Sequence, residues 1–189
     1  MSRSSISAAQ AEAALAEAEL LFDEDQIRTA LQKMAAEISA QLAASDPLLI
    51  SVLNGGLIPA GQLLPLLDFP LQCDVLHATR YRGETSGGEL QWLLYPQQNL
   101  RGRTVLIVDD ILDEGHTLKA ILEYCQQQGV KQVQSAVLLE KKHQRRCAGV
   151  AADYVALSVD DRYVVGYGMD YHGYLRNVKG IYALDETAL

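Results

Sequence analysis

Cysteine is scarce here. Cys73, Cys125 and Cys147 are odd in number and never fall into C-x-x-C spacing, which argues against a disulfide framework or a zinc site and makes a reducing cytoplasm the expected location. Positive charge is also short: 16 Lys and Arg stand against 24 Asp and Glu, a net charge of −8 with a pI near 4.9. Binding to nucleic acid or to an anionic membrane needs a basic surface, so neither is expected as a partner. A small anionic substrate stays compatible, because local donors or a bound cation can capture it. No apolar run approaches a membrane span, and the N-terminal stretch carries Arg3 but no apolar core of the signal-peptide kind. Internal repeats, low-complexity tracts and long linkers are absent, and no G-x-x-x-x-G-K-[ST] occurs, which removes the P-loop nucleotidases. What remains is ordinary for a globular chain: 189 residues, 49% hydrophobic and 21% charged, enough for the core of one domain over 1–189.

Periodicity sets the order of elements. Residues 7–22 have high helix propensity but only an alanine-dominated apolar face. Asp23 followed three residues later by Gln26 marks a helix start. Ile27, Leu31, Met34, Ile38 and Leu42 then recur at helical spacing until Asp46-Pro47 ends the run. An N-terminal helical segment over 1–45 is thus expected ahead of a core over 48–184. LLISVL (48–53) is a continuous apolar run, as in a strand buried on both faces. Asn54-Gly55-Gly56 is its turn, and 58–67 is the returning helix, with Pro59 in its first turn. Strands are expected at 72–78 and 90–95, with YRGETSGGE between them, then at RGRTVLIVDD, QVQSAVLLEK, DYVALSV and GIYAL. A helix is expected over 117–128, closed by Gly129. Strands alternating with helices predict an α/β fold with a mostly parallel twisted sheet flanked by helices.

The chemistry concentrates in VLIVDDILDEGHT (105–117). In open α/β sheets ligands sit beyond the C-terminal strand ends, where Asp109 and Asp110 fall. The following loop enters a helix near His116 and Thr117, whose first N–H groups and dipole favour phosphate. Gly115 lets the backbone approach an anion, and the Thr117 hydroxyl can donate. Two carboxylates beside a phosphate cradle repel the ligand unless they meet hydroxyls or a divalent cation, and a ribose phosphate with magnesium answers both demands. An acidic pair alone usually just ends a strand at the surface; three carboxylates in five residues before Glu-Gly-His-Thr outweigh that reading. Response-regulator receivers also carry such a run, but at the first strand of a domain of about 120 residues. Here too little chain follows Val105.

This motif, together with YVVGYGMDYHGYLRNV (163–178), resembles the hypoxanthine-guanine phosphoribosyltransferases, over roughly 48–184. The resemblance implies the type I fold with a small hood of N- and C-terminal segments, and transfer of phosphoribose from 5-phosphoribosyl-1-pyrophosphate to a purine in a magnesium-dependent salvage reaction. It implies that Asp109 and Asp110 hold the ribose hydroxyls with Mg2+ nearby, and that Asp113 is the general base at purine N7. The backbone of Asp113, Glu114, Gly115, His116 and Thr117 would cradle the 5′-phosphate. Lys141 would donate to the 6-oxo group, Tyr163 would stack on the purine, and the Val164 backbone would read its edge. Asp170 would hold a second Mg2+ through water, and Arg176 would meet pyrophosphate. Asn54 and Gly55 would form the pyrophosphate loop, presented by a non-proline cis peptide, and Arg80 and Tyr81 would begin a closing lid over 81–89. Without the resemblance, Lys141 would read as a solvated side chain, Tyr163 as core packing and 81–89 as a plain hairpin loop.

The sequence departs from relatives at Asn54, where Lys is common, at Glu114, where a small hydroxylated residue is common, and at Arg80-Tyr81, where Ser-Tyr is common. His77, His116, His143 and His172 lack metal-ligand spacing, and none is assigned a catalytic role. The competing functions are a ligand-sensing regulatory protein on the same fold and a transferase acting on xanthine or another base. A homodimer or homotetramer is implied by the resemblance.

Overall fold

The computed structural model describes residues 6–80 and 90–185, so the expected lid over 81–89, Tyr81 included, lies outside the described residues. Six strands form the main sheet in the order β4-β3-β2-β5-β6-β7. They are β2 (Leu48–Leu53), β3 (Gln72–Arg80), β4 (Leu90–Leu94), β5 (Thr104–Leu112), β6 (Gln132–Lys142) and β7 (Tyr154–Asp160). All neighbours are parallel except β4, which runs antiparallel along β3. Alternate residues of the apolar runs face opposite sides, as strand geometry requires. Leu49, Leu106 and Val108 join α2 (Glu24–Leu42) and α3 (Leu57–Leu63) in one core; Leu48, Ile50, Val105 and Ile107 join α4 (His116–Gln127) in the other. Burial of each such Leu or Ile contributes about 1.5–3 kcal/mol. A run covered on both faces is apolar throughout, which is why LLISVL and TVLIV announce themselves.

The helix expected after Asp23 is α2, closed at its start by a reciprocal cap: Gln26 N–H donates to Asp23 Oδ1 at 2.8 Å and the Gln26 side chain accepts from Asp23 N–H. Its buried seam is Ile27, Leu31, Met34, Ala35, Ile38 and Leu42. The returning helix is shorter than 58–67: α3 stops at Leu63, and Leu64–Leu66 tightens into a 3-10 turn with Pro65 in it.

The N-terminal stretch is not helical throughout. Helix α1 (Ala8–Ala16) ends early, and β1 (Glu19–Phe22) pairs antiparallel with β9 (Ile181–Ala183), Leu20 opposite Tyr182. Local propensity favoured helix, but Glu-Leu-Leu-Phe satisfies its backbone on a strand from the far end of the chain. With the two-residue β8 (Val164–Val165) these make a second sheet, β1-β9-β8. This hood, built from both chain ends, stands beside the C-terminal end of β6. A cavity of about 580 Å³ between them is lined by Glu17, Glu19, Lys141, Arg162 and Tyr163 among others. No described helix is long and apolar enough to cross a membrane.

Candidate active site

Three segments converge at the end of β5. The first is the turn after β2, where the Leu53-Asn54 peptide is cis, as the resemblance implied. Asn54 is exposed and Gly55 buried. A Cβ added to Gly55 would sit 2.0 Å from Asp110 Oδ2, so only glycine lets the turn lie against that carboxylate. The second is β5, carrying Asp109 and Asp110. Asp109 Oδ1 accepts from the Asp110 N–H at 2.9 Å and Asp110 Oδ1 from the Ile111 N–H at 2.7 Å. The third is the hood loop, where Gly168 sits at φ +113°; a Cβ there would meet the Gly55 carbonyl at 2.2 Å.

Burial raises both acids, and for Asp109 the neighbouring Asp110 charge raises it further. Two desolvated carboxylates side by side, with only hard oxygen donors, match the demands of Mg2+ or of a pair of hydroxyls. Asp170 is otherwise engaged. Its Oδ1 accepts from Arg176 at 2.5 Å and its Oδ2 from the Gly173 N–H at 2.7 Å. The same guanidinium donates to the Gly168 carbonyl at 2.5 Å and lies 3.9 Å from Asp110 Oδ2. Arg176, expected at pyrophosphate, here clamps the hood loop against the β5 end.

Beyond the pair, the loop enters α4 through Gly115, whose φ of +85° opens the helix without a side-chain cap. The first N–H groups of α4, at His116 and Thr117, lack intrahelical partners as at any helix start, an arrangement suited to an anion. Glu114 stands 3.7 Å from His116 Nε2. Arg80 ends β3.

Asp113 lies between these features and the cavity. Lys141 Nζ, almost fully buried at the end of β6, donates to its Oδ2 at 3.0 Å. His143 Nε2 lies 2.7 Å from its Oδ1. Burial pushes Asp113 upward, but the hydrogen bond and charge of Lys141, and then the hydrogen bond of His143, outweigh it, and the carboxyl ends below its ordinary value. Tyr163 lines the cavity with Lys141, its hydroxyl donating to the Asp170 carbonyl at 3.1 Å, and Tyr171 meets it edge-on. Val164 is buried in β8, opposite Ala183.

Three residues at the site are given no role by the resemblance: His143, Glu17 and Glu19. His143 was weighed only by metal-ligand spacing; its position two residues past a strand-end lysine was the available signal. Glu17 and Glu19 line the cavity from a stretch given no part in the chemistry. Among the described residues, Asp113, His143 and Asp161 bring one ligand atom each within 4.8 Å of one another. Lys141 and Arg145 already occupy the two acids. Asp109, Asp110 and Asp170 do not form such a group.

A model of the phosphoribosyl transferase domain matches residues 18–172. The hypoxanthine-guanine-xanthine phosphoribosyltransferase of Tritrichomonas foetus is 32% identical over 168 residues, covering 89% of this chain and 92% of the relative. A solved hypoxanthine phosphoribosyltransferase of Staphylococcus aureus superposes with a TM-score of 0.84 at 31% identity, over 89% of this chain and 92% of that one. That of Trypanosoma cruzi, solved to address how its C-terminal region affects oligomeric state and activity, gives 0.83 at 29%, with the same coverage.

Proposed function

The chain belongs to the phosphoribosyltransferase family, and from that premise we propose that it salvages hypoxanthine and guanine, joining each to 5-phosphoribosyl-1-pyrophosphate with release of pyrophosphate. The observation that carries the substrate class is the Asp113–Lys141 pair, 3.0 Å apart at the cavity. A 6-oxopurine offers an acceptor at O6 beside a donor at N7–H. Lys141 supplies only donors and an ionised Asp113 only acceptors, so the pair complements that edge. Adenine carries a 6-amino donor in place of the acceptor and meets Lys141 donor to donor.

The residues divide the work. The α4 start and the Asp113–Thr117 backbone hold the 5′-phosphate, Asp109 and Asp110 hold the ribose hydroxyls, and the Asn54-Gly55 turn faces pyrophosphate. Tyr163 covers the purine face, the Val164 backbone reads its edge, and Arg176 with Asp170 fixes the hood loop above the sugar. Mg2+, held by Asp109 and Asp110 directly or through water, with Asp170 a further oxygen donor once Arg176 turns to pyrophosphate, would neutralise charge on the departing pyrophosphate. Attack by N9 releases the N7 proton, and Asp113 takes it. While Lys141 and His143 both hold Asp113, its proton affinity is low. When Lys141 turns to O6, Asp113 loses a donor and regains basicity where the proton arrives. Site and substrates suit a cytoplasmic enzyme, and a homodimer or homotetramer belongs to the same proposal.

The test is nucleotide formation from 5-phosphoribosyl-1-pyrophosphate and Mg2+ with each purine and pyrimidine base in turn. Turnover of hypoxanthine and guanine with adenine excluded is expected. Retained phosphoribosyl pyrophosphate binding without turnover of any base would instead identify a ligand sensor on this fold.

A further inference from the structure

His143 lies on the segment that leaves β6, and its side chain is only 4% exposed. Its Nδ1 accepts the backbone N–H of Arg145 at 3.0 Å, so Nδ1 carries no proton. In the neutral ring the proton is therefore on Nε2, which donates to Asp113 Oδ1 at 2.7 Å. A protonated ring would set an N–H against the Arg145 N–H. The segment is itself pinned: Arg146 donates to Glu140 at 2.6 Å and to the Lys141 carbonyl at 2.7 Å, and Arg145 pairs with Asp161. The ring is thus locked in one tautomer by backbone it cannot leave.

The two oxygens of Asp113 therefore have unlike partners. Oδ2 is held by Lys141, which the proposed chemistry also needs at O6. Once the lysine turns to the base, Asp113 is left with one fixed donor. We infer that His143 is a positioning residue for the transfer: it holds Asp113 by Oδ1 so that Oδ2 stays aimed at purine N7. A neutral donor suits this task, because a cation in its place would hold the carboxylate down and weaken it as a base. The inference rests on the transfer reading given above.

The test compares wild type with His143→Gln, His143→Asn and His143→Leu in steady-state turnover of guanine, with melting temperatures alongside. A glutamine amide nitrogen reaches the place of Nε2, whereas that of asparagine falls near Nδ1, so only glutamine restores the donor. We expect kcat to fall about tenfold or more in the Asn and Leu variants, a loss in keeping with a hydrogen bond to a charged group. The KM for phosphoribosyl pyrophosphate should hold within about threefold, and glutamine should return kcat to within about threefold of wild type. Nitrogen NMR of the wild-type ring should show a proton on Nε2 and none on Nδ1 near neutral pH. Wild-type kcat in the Asn and Leu variants, or a Gln variant as impaired as Leu, would overturn the inference alone. A wild type that turns over no base would overturn the transfer reading and this inference with it.

Discussion

Replacing Asp109 by Asn should make the unliganded protein more stable while it disables the site. Burial raises Asp109 first, and the adjacent Asp110 charge adds to it, so the ionised pair works against the free fold. Like charges in contact at an effective dielectric near 20 repel by about 4 kcal/mol. Arg176, 3.9 Å from Asp110, offsets part of this, and sharing a proton relieves more. About 1.5 kcal/mol then remains to be recovered, or roughly 3–6 °C in Tm for a chain of this size. The asparagine Oδ1 can keep the bond that Asp109 Oδ1 accepts from the Asp110 N–H, so no backbone donor is orphaned. The sign follows from linkage. A carboxyl raised by folding costs stability above its folded pKa, and that cost fades as pH falls through it. The advantage of the variant over wild type should therefore be largest at the upper end of the range and shrink as pH falls through the raised Asp109 value. Calorimetric melting of both proteins, without ligand and across pH 4–8, checks this. An unchanged or lower Tm for Asp109→Asn at neutral pH would refute the idea that this pair is held at a cost to the fold.

Lys141→Met should raise the KM for guanine about tenfold to a hundredfold, the worth of a charged hydrogen bond, and narrow the discrimination against adenine. It also removes the main influence lowering Asp113, so the acid limb of kcat/KM should move to higher pH, measured as a pH–rate profile. Gly55→Ala forces a Cβ to within 2.0 Å of Asp110 Oδ2, and should cost about 1–3 kcal/mol in denaturant unfolding along with most of the activity. Leu31→Ala, in the α2 seam, should cost about 2–5 kcal/mol and leave kcat per folded molecule near wild type.

What the sequence disclosed depended on how local each signal is. β2 and β5 are apolar on both faces and need no partner to be recognised, and the cap of α2 is complete within Asp23–Gln26. The acidic run and the Gly115 entry to α4 are likewise contiguous, and they fall where ligand chemistry belongs. β1 was hidden because its partner β9 lies at the opposite end of the chain, and its own alanine-rich flank favours helix. The bond from His143 to Asp113 joins the β6 exit to the β5–α4 loop across the parallel sheet, and no periodicity marks such a meeting. The role of Arg176 as a clamp was equally silent, since it depends on the Gly168 carbonyl turning toward the β5 end at a positive φ.

The central claim is that Asp113 accepts the purine proton during phosphoribosyl transfer. The direct measurement is guanine turnover by Asp113→Asn beside wild type, with phosphoribosyl pyrophosphate binding followed by calorimetry in Mg2+. The account predicts a kcat lowered by about 10²–10⁴, with binding of the phosphoribosyl donor changed by no more than a few fold. Wild-type turnover in the variant would contradict it.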